Sequence, residues 1–372
     1  MLSRRLRQLV RLVVASLAGV VVASGVAAGH VRFVTDTEDV GEALQFLADA
    51  LTDPVNAVLL GGGGVGVLVA IVVYLQVEPF QRDVEVFRDV MTGYSDLLSW
   101  LLRLGFGLPL VGAGFAGYFM NPVVDPVVAP PIARLFQIGL GFALLFGIAT
   151  RVAALVGLLA YLLALPVAPL LLFSLEWIPG FLAIALIGSG RPSGDQMFKR
   201  VAEAEGTFYG RIDPIHDAAG WLNEKVDPYE QYVPLIIRVG MGVAFAFLGL
   251  FEKLLAPGMA LSVVEKYNLT AVVPVSPELW VLGAGLSELA LGMAIAFGFF
   301  TRASALTAMF VFTLTLFGIP DDPVLAHIGL FSLASALLIT GAGPYALDNY
   351  IGASKPSAQV EEMLGRSGEP SD

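Results

Sequence analysis

Cysteine is absent from the 372 residues. That excludes disulfides, thiolate-bound metals, cysteine-held iron–sulfur clusters and thiol relays. Histidine is nearly as scarce: His30, His216 and His327 stand far apart, with no metal-ligand spacing. Electrons crossing this protein therefore need a bound small molecule or a partner to carry them. Charge is thin as well, at 14% of residues, where a soluble domain has about a quarter. Only five lysines are present and the net charge is −11. Acidic loops argue against nucleic acid as a partner. Sparse lysine with abundant Asp and Glu fits a protein working in high salt, where screening removes the self-repulsion.

What fills the chain instead is hydrocarbon, with apolar residues at 56% of positions. They fall in blocks of the length an α-helix needs to cross about 30 Å of bilayer core. The alternating segments of about ten residues that a membrane β-barrel requires are missing. The expected fold is an all-α polytopic membrane protein of about ten transmembrane helices. The spans run near 9–29, 54–76, 99–120, 132–149, 152–172, 176–189, 232–253, 277–299, 303–319 and 325–341. The first, after Arg4, Arg5 and Arg7, has the outline of a signal peptide, but its apolar stretch is longer than usual and reads as an uncleaved anchor.

With the N-terminus inside, seventeen of the 21 Lys and Arg lie at the cytoplasmic ends, as the positive-inside rule asks. Both termini are then cytoplasmic and the protein is multi-pass in the cell membrane, with membrane lipids as its surroundings. Phe80, Val84, Phe87, Met91, Tyr94 and Leu98 share one helical face, which predicts an amphipathic helix in the interface, ending at Trp100. The Gly61–Gly66 run, inside a span, reads as close helix packing or a local kink and not as a dinucleotide fingerprint. Asn268 opens a glycosylation sequon in an external loop. The polar stretch around 190–231 reads as a solvated linker, and the tail from 351 as disordered.

Two tandem copies of one unit are legible. Gly147, Thr150, Arg151, Ala154 and Leu155 match Gly298, Thr301, Arg302, Ala305 and Leu306 at an offset of 151. Arg103, Gly105, Gly107, Gly114 and Pro122 match Arg238, Gly240, Gly242, Gly249 and Pro257 at 135. Gly188, Gly190 and Asp195 match Gly341, Gly343 and Asp348 at 153. The change from 135 to 151 puts about sixteen extra residues into the first external loop of the second unit. The expected organisation is residues 1–98 with two N-terminal spans and the interfacial helix, 99–195 as the first four-helix unit, 196–231 as a cytoplasmic linker, 232–350 as the second unit and 351–372 as the tail. Four spans per unit make the repeats parallel, related by an axis along the membrane normal.

In the second unit the order Arg238, Gly240, Gly242, then Lys253, Glu288, Gly298, Thr301, Arg302, and finally Gly341, Gly343, Pro344, Tyr345, Leu347, Asp348 resembles the DoxX family. The likeness covers nearly all of 234–350 and, more weakly, 99–195. The resemblance implies a membrane subunit of a quinone-linked oxidoreductase complex, with a partner subunit supplying redox centres and a non-covalent quinone as cofactor. It does not fix a reaction. A non-catalytic assembly or scaffold subunit and a small-solute or proton pathway are the alternatives, and oligomerisation is open.

Within that frame the candidate catalytic residues are Glu288, Lys253 and His327. Glu288 lies inside the eighth span, where a carboxylate must be protonated, paired or facing water. Lys253 closes the preceding helix, so a Lys253–Glu288 pair across the hairpin is plausible; its bland role is to tie two helices. The first unit has Tyr118 and Gln137 at these places, so any polar site is expected in the second unit. His327, at the start of the last span, is an interfacial hydrogen-bonder or a proton exchanger. Arg302 and Tyr345 are secondary positions for a quinone or lipid, although Arg151 and Arg302 in their short turns equally serve as inside markers or helix C-terminal caps. No metal site is expected.

Overall fold

In a computed structural model the described residues are 43–126, 130–212 and 215–351. The first expected span, 9–29, and the tail beyond 351 lie outside them. The chain is an all-α polytopic membrane protein. Among the described residues five helices are long and apolar enough to cross a bilayer by length and composition, and four shorter apolar helices accompany them.

Before the first unit come α1 (Ala43–Thr52), α2 (Pro54–Val77) and α3 (Gln81–Thr92). The Asp53 carboxylate caps α2 by accepting from Val55 and Asn56 N–H, with Pro54 opening the helix. Nothing among the described residues lies within 4 Å of a Cβ built at Gly61 to Gly64, so the close packing expected there is not seen. The interfacial amphipathic segment is α3, followed by a 3₁₀ turn at Ser95–Leu97.

The segment expected as the first unit holds α4 (Leu98–Ala116), α5 (Pro130–Phe146), α6 (Thr150–Ala164) and α7 (Trp177–Ile187). The spans expected at 152–172 and 176–189 are shorter than a full crossing, because a 3₁₀ segment at Pro169–Ser174 interrupts them. Next come α8 (Gly194–Glu203), α9 (Phe208–Ile212) and α10 (Ile215–Val226). The stretch expected as a solvated linker is thus largely helical.

The second unit is α11 (Val233–Leu248), α13 (Pro277–Phe297), α14 (Thr301–Gly318) and α15 (Val324–Thr340), with a short α16 (Asp348–Ile351). Between α11 and α13 the sixteen extra residues are not an open loop. They form α12 (Pro257–Lys266) and a 3₁₀ turn at Leu269–Ala271. Met259, Val263, Val264 and Leu269 pack with Trp280 and Val281 of α13, and Trp280 Nε1 donates to the Val273 carbonyl. α1 covers the same end, with Ala50 against Leu254 and Leu282.

Helix pairs meet at glycines. A Cβ on Gly107 would lie 2.9 Å from the Gly141 carbonyl oxygen, and one on Gly242 would lie 2.5 Å from that of Gly292. Backbone meets backbone there, so α4–α5 and α11–α13 approach as closely as small residues allow. Between the two halves the pairing is reciprocal: α4 packs on α15 and α11 on α7. Gly105 faces Ser332 in one contact and Gly240 faces Pro179 in the other. First helix against last helix, twice, makes one continuous core.

Candidate functional site

The two ends of the bundle differ in chemistry. One end carries the short Thr150-Arg151 and Thr301-Arg302 turns; the other carries Lys253. At the arginine end the charged groups are held mainly by backbone, with Arg151 also paired to Asp227 and Arg302 to the Thr92 hydroxyl. Asp195 accepts from Ala149 N–H and Thr150 N–H at 2.6 and 3.0 Å. Asp348 does the same for Phe300 and Thr301 at 2.6 and 2.8 Å. Arg151 donates to the carbonyls of Ala185 and Leu186, and Arg302 to those of Leu338 and Ile339. These are the last carbonyls of α7 and α15, which a helix leaves without partners. Arg103 reaches the Pro192 carbonyl, and Arg238 those of Ala296, Pro344 and Tyr345. Both of these guanidinium groups are 1% exposed.

Of the two secondary positions, Arg302 is therefore a helix cap. The Tyr345 ring is 73% exposed at the same end, with its backbone at φ 58°. Glu288 lies nine residues up α13 from Phe297, or about 14 Å at 1.5 Å per residue. Arg302 and Tyr345 do not share a site with it.

At the other end α11 does not stop as an ordinary helix. Residues Gly249–Leu254 form a π-helical turn, closed by Leu255 N–H donating to the Leu250 carbonyl five residues back. Within this turn Glu252 and Lys253 are both buried, at 0% and 2% exposure. Lys253 Nζ then meets Glu288 Oε2 at 2.7 Å, and both side chains are enclosed. Gly249 permits this: a Cβ there would be 2.7 Å from the Gly285 carbonyl and 2.9 Å from Cβ of Glu288. Single π turns are frequent at functional sites.

His327 belongs to a different group. Its Nε2 lies 3.5 Å from Asp322 Oδ2, its Nδ1 lies 3.3 Å from the Pro323 carbonyl, and the edge of Phe312 packs against it. Asp322 and His327 are both buried. The structure thus joins two of the three candidate catalytic residues and holds the third on α15.

Where the second unit has its ion pair, the first has a neutral substitute. Gln137 is fully buried, accepts from Met120 N–H and donates to the Tyr118 carbonyl, each at 2.8 Å. One amide closes the helix end that Lys253 and Glu288 close in the other half. The first unit nevertheless contains a buried acid. Glu176 is 4% exposed and its Oε2 has no hydrogen-bond partner among the described residues. It lines a cavity of about 10 Å³ with Phe106, Tyr118, Trp177 and Ala326, room for about one water molecule.

Two residues were missed in the sequence, each for a physical reason. Glu252 sits next to Lys253 at a helix end, and its burial shows only once the helices are packed. Glu176 immediately precedes the short α7, and its burial likewise depends on neighbours distant in sequence. Beyond the membrane segments, Asp321 accepts from Tyr267 and Lys266. The Tyr267 hydroxyl first, then the Lys266 ammonium, hold the Asp321 carboxyl below its usual range. Asp321 in turn raises Lys266.

Comparison with known proteins gives one positive result: residues 233–321 match the sequence model of the DoxX family. No curated protein and no solved structure matches the chain. The matched segment begins with α11 and ends beside Asp322, so it includes the π turn, Lys253 and Glu288.

Proposed function

With a DoxX domain over residues 233–321 as the premise, we propose that this chain is the membrane subunit of a quinone-linked oxidoreductase complex. In this reading the Lys253–Glu288 pair is its proton-handling site. The observation that carries the proposal is the enclosed Lys253–Glu288 pair, which lies at the π turn Gly249–Leu254. Charged groups inside a membrane protein are costly and mark proton, ion or substrate sites more often than not.

Lys253 and Glu288 suit a quinone headgroup: the ammonium donates to a carbonyl oxygen, and the carboxyl accepts or returns a proton. A bound quinone would supply two-electron, two-proton redox chemistry, with electrons delivered by a partner subunit. Glycine contacts fix the spacing of α11 and α13, and α1 and α12 cover this end. His327 and Asp322 form a second titratable group on α15.

The reading extends to the architecture. Residues 99–195 are a second DoxX-like unit that keeps the arginine-end scaffold and replaces the ion pair by Gln137. The matched hydrogen bonds of Arg103 with Arg238, Arg151 with Arg302 and Asp195 with Asp348 support it. By the positive-inside rule the arginine end is cytoplasmic, and the protein resides in the cell membrane.

The test is extraction of quinone from the purified protein and from Glu288→Gln. Retention in the wild type and at least a tenfold loss in the variant, with unchanged folding, is the expected result. No quinone in either, with both folded, overturns the redox reading and leaves the scaffold role, in which the pair ties α11 to α13.

A further inference from the structure

The interfacial helices that precede the two units exchange partners. α3 precedes the first unit, yet its last residue, Thr92, accepts a hydrogen bond from Arg302 of the second unit. α10 precedes the second unit, yet the next residue, Asp227, pairs at 2.9 Å with Arg151 of the first. Thr92 and Asp227 stand at the same 135-residue offset as Arg103 and Arg238. The part of the linker nearest the second unit is thus the counterpart of α3.

Under α10 the two sides differ. A cavity of about 340 Å³ opens there, walled by Leu155 and Leu182 from the bundle and by Leu222 and Val226 from α10. Arg151 and Tyr229 stand at its edge. Its size falls within the range of small-molecule pockets, roughly 300–1,000 Å³. At the same offset, Leu222 and Val226 correspond to Phe87 and Met91 of α3, and Met91 packs against the core. Leu222 and Val226, the smaller pair, wall an open cavity where α3 carries the bulkier Phe87 and Met91.

We infer that this groove holds one hydrocarbon chain of a neutral or zwitterionic membrane lipid, clamped between α10 and the α6–α7 face. Three observations define the occupant. Leu155 and Leu182 lie in apolar helices, and Leu155 is 46% exposed, so the groove continues a surface that faces lipid. Arg151 spends its guanidinium on Ala185, Leu186 and Asp227, which leaves the occupant's chain, and not its headgroup charge, as the recognised part. The flanking segment, residues 199–230, carries seven Asp or Glu against four Lys or Arg, a balance that disfavours anionic lipid. Trp221, 62% exposed beside Leu222, suits an interfacial anchor. The site is independent of the redox reading and lies at the opposite end from Lys253.

The residue exchange that nature made in α3 supplies the test. Native mass spectrometry after detergent washing is expected to show about one retained lipid per wild-type chain. Leu222→Phe/Val226→Met is expected to lose it at an unchanged unfolding temperature, and Leu222→Phe alone serves if the double variant misfolds. In phosphatidylcholine vesicles with brominated chains, the Trp221 emission (the difference between wild type and Trp221→Phe) should be quenched at least twofold less in the filled variant. Equal lipid retention, equal quenching, no lipid on the wild type, or a quinone retained in its place would each overturn the inference.

Discussion

Lys253 and Glu288 show how much one pair of residues can hold in tension. Each alone in the bilayer interior would cost several kcal/mol, and together at 2.7 Å they nearly cancel that cost. Removing one partner leaves the other stranded. Lys253→Met should therefore destabilise the protein by about 3–5 kcal/mol, while Lys253→Met/Glu288→Leu should recover most of that loss. Unfolding in mild detergent with added denaturant measures both. A double variant as unstable as the single would mean that the charges do not act as a pair. The exposed cluster of Lys266, Tyr267 and Asp321 has a different signature. The Asp321 carboxyl is held low by the Tyr267 hydroxyl first and Lys266 second, so its contribution is present above the ordinary carboxylate range and fades as pH falls through its depressed value. Lys266 is raised by Asp321 first, so its contribution is intact below the ordinary lysine range and is lost only as pH rises past its raised value. Asp321→Asn should speed amide exchange in 267–276 at neutral pH, and the difference from wild type should vanish in acid. High salt should shrink it as well.

At the scale of elements, glycine position decides what the bundle tolerates. A Cβ at Gly242 meets the Gly292 carbonyl and the Ala296 nitrogen at 2.5 Å each. Neither backbone atom can move aside without parting α11 from α13. A Cβ at Gly139 of α5 meets nothing within 4 Å. Gly242→Ala should cost about 1–3 kcal/mol as overpacking, whereas Gly139→Ala should be neutral or gain up to about 1 kcal/mol in helix propensity. Thermal unfolding of the two variants side by side separates them, and equal effects would refute the backbone contact. The long elements were legible because a span is written as a run of hydrocarbon. The short ones were not. α8 and α10 are polar enough to look like loops, α12 is too short to read as a span, and their helical state depends on caps and on neighbours distant in sequence. Ser193 caps α8 by accepting from Gln196 N–H, but nothing near 257–266 announces that Trp280 waits for it. The π turn is hidden for a similar reason: Gly249 to Leu254 read as an ordinary helix end until Glu288 is placed opposite.

For the whole molecule, residue spacing sets the order of the elements, and packing decides which half each one serves. Matching glycines and arginines located both units, yet nothing in their spacing says that α4 seats on α15, that α11 seats on α7, or that α3 and α10 cross to the opposite unit. Those choices bury Leu102, Phe106, Ile237 and Met241, each at 0–1% exposure, in a core shared by both halves. A half separated from its partner would expose that face, along with the collars at Ser332 and Pro179. The chain that joins the halves is much less constrained. Gly206, after Glu205, has φ 80° and open space around it, the kind of exposed turn that tolerates a break. Expressing 1–205 and 206–372 as separate chains should therefore give one complex that co-purifies through detergent extraction, while either fragment alone should aggregate or be degraded. The second fragment keeps α10, so the Asp227–Arg151 contact would form between chains, and Arg151→Ala should weaken co-purification without abolishing it, since a partly exposed ion pair is worth about 1 kcal/mol or less. Two fragments that each fold alone and never associate would show that the shared core does not govern assembly.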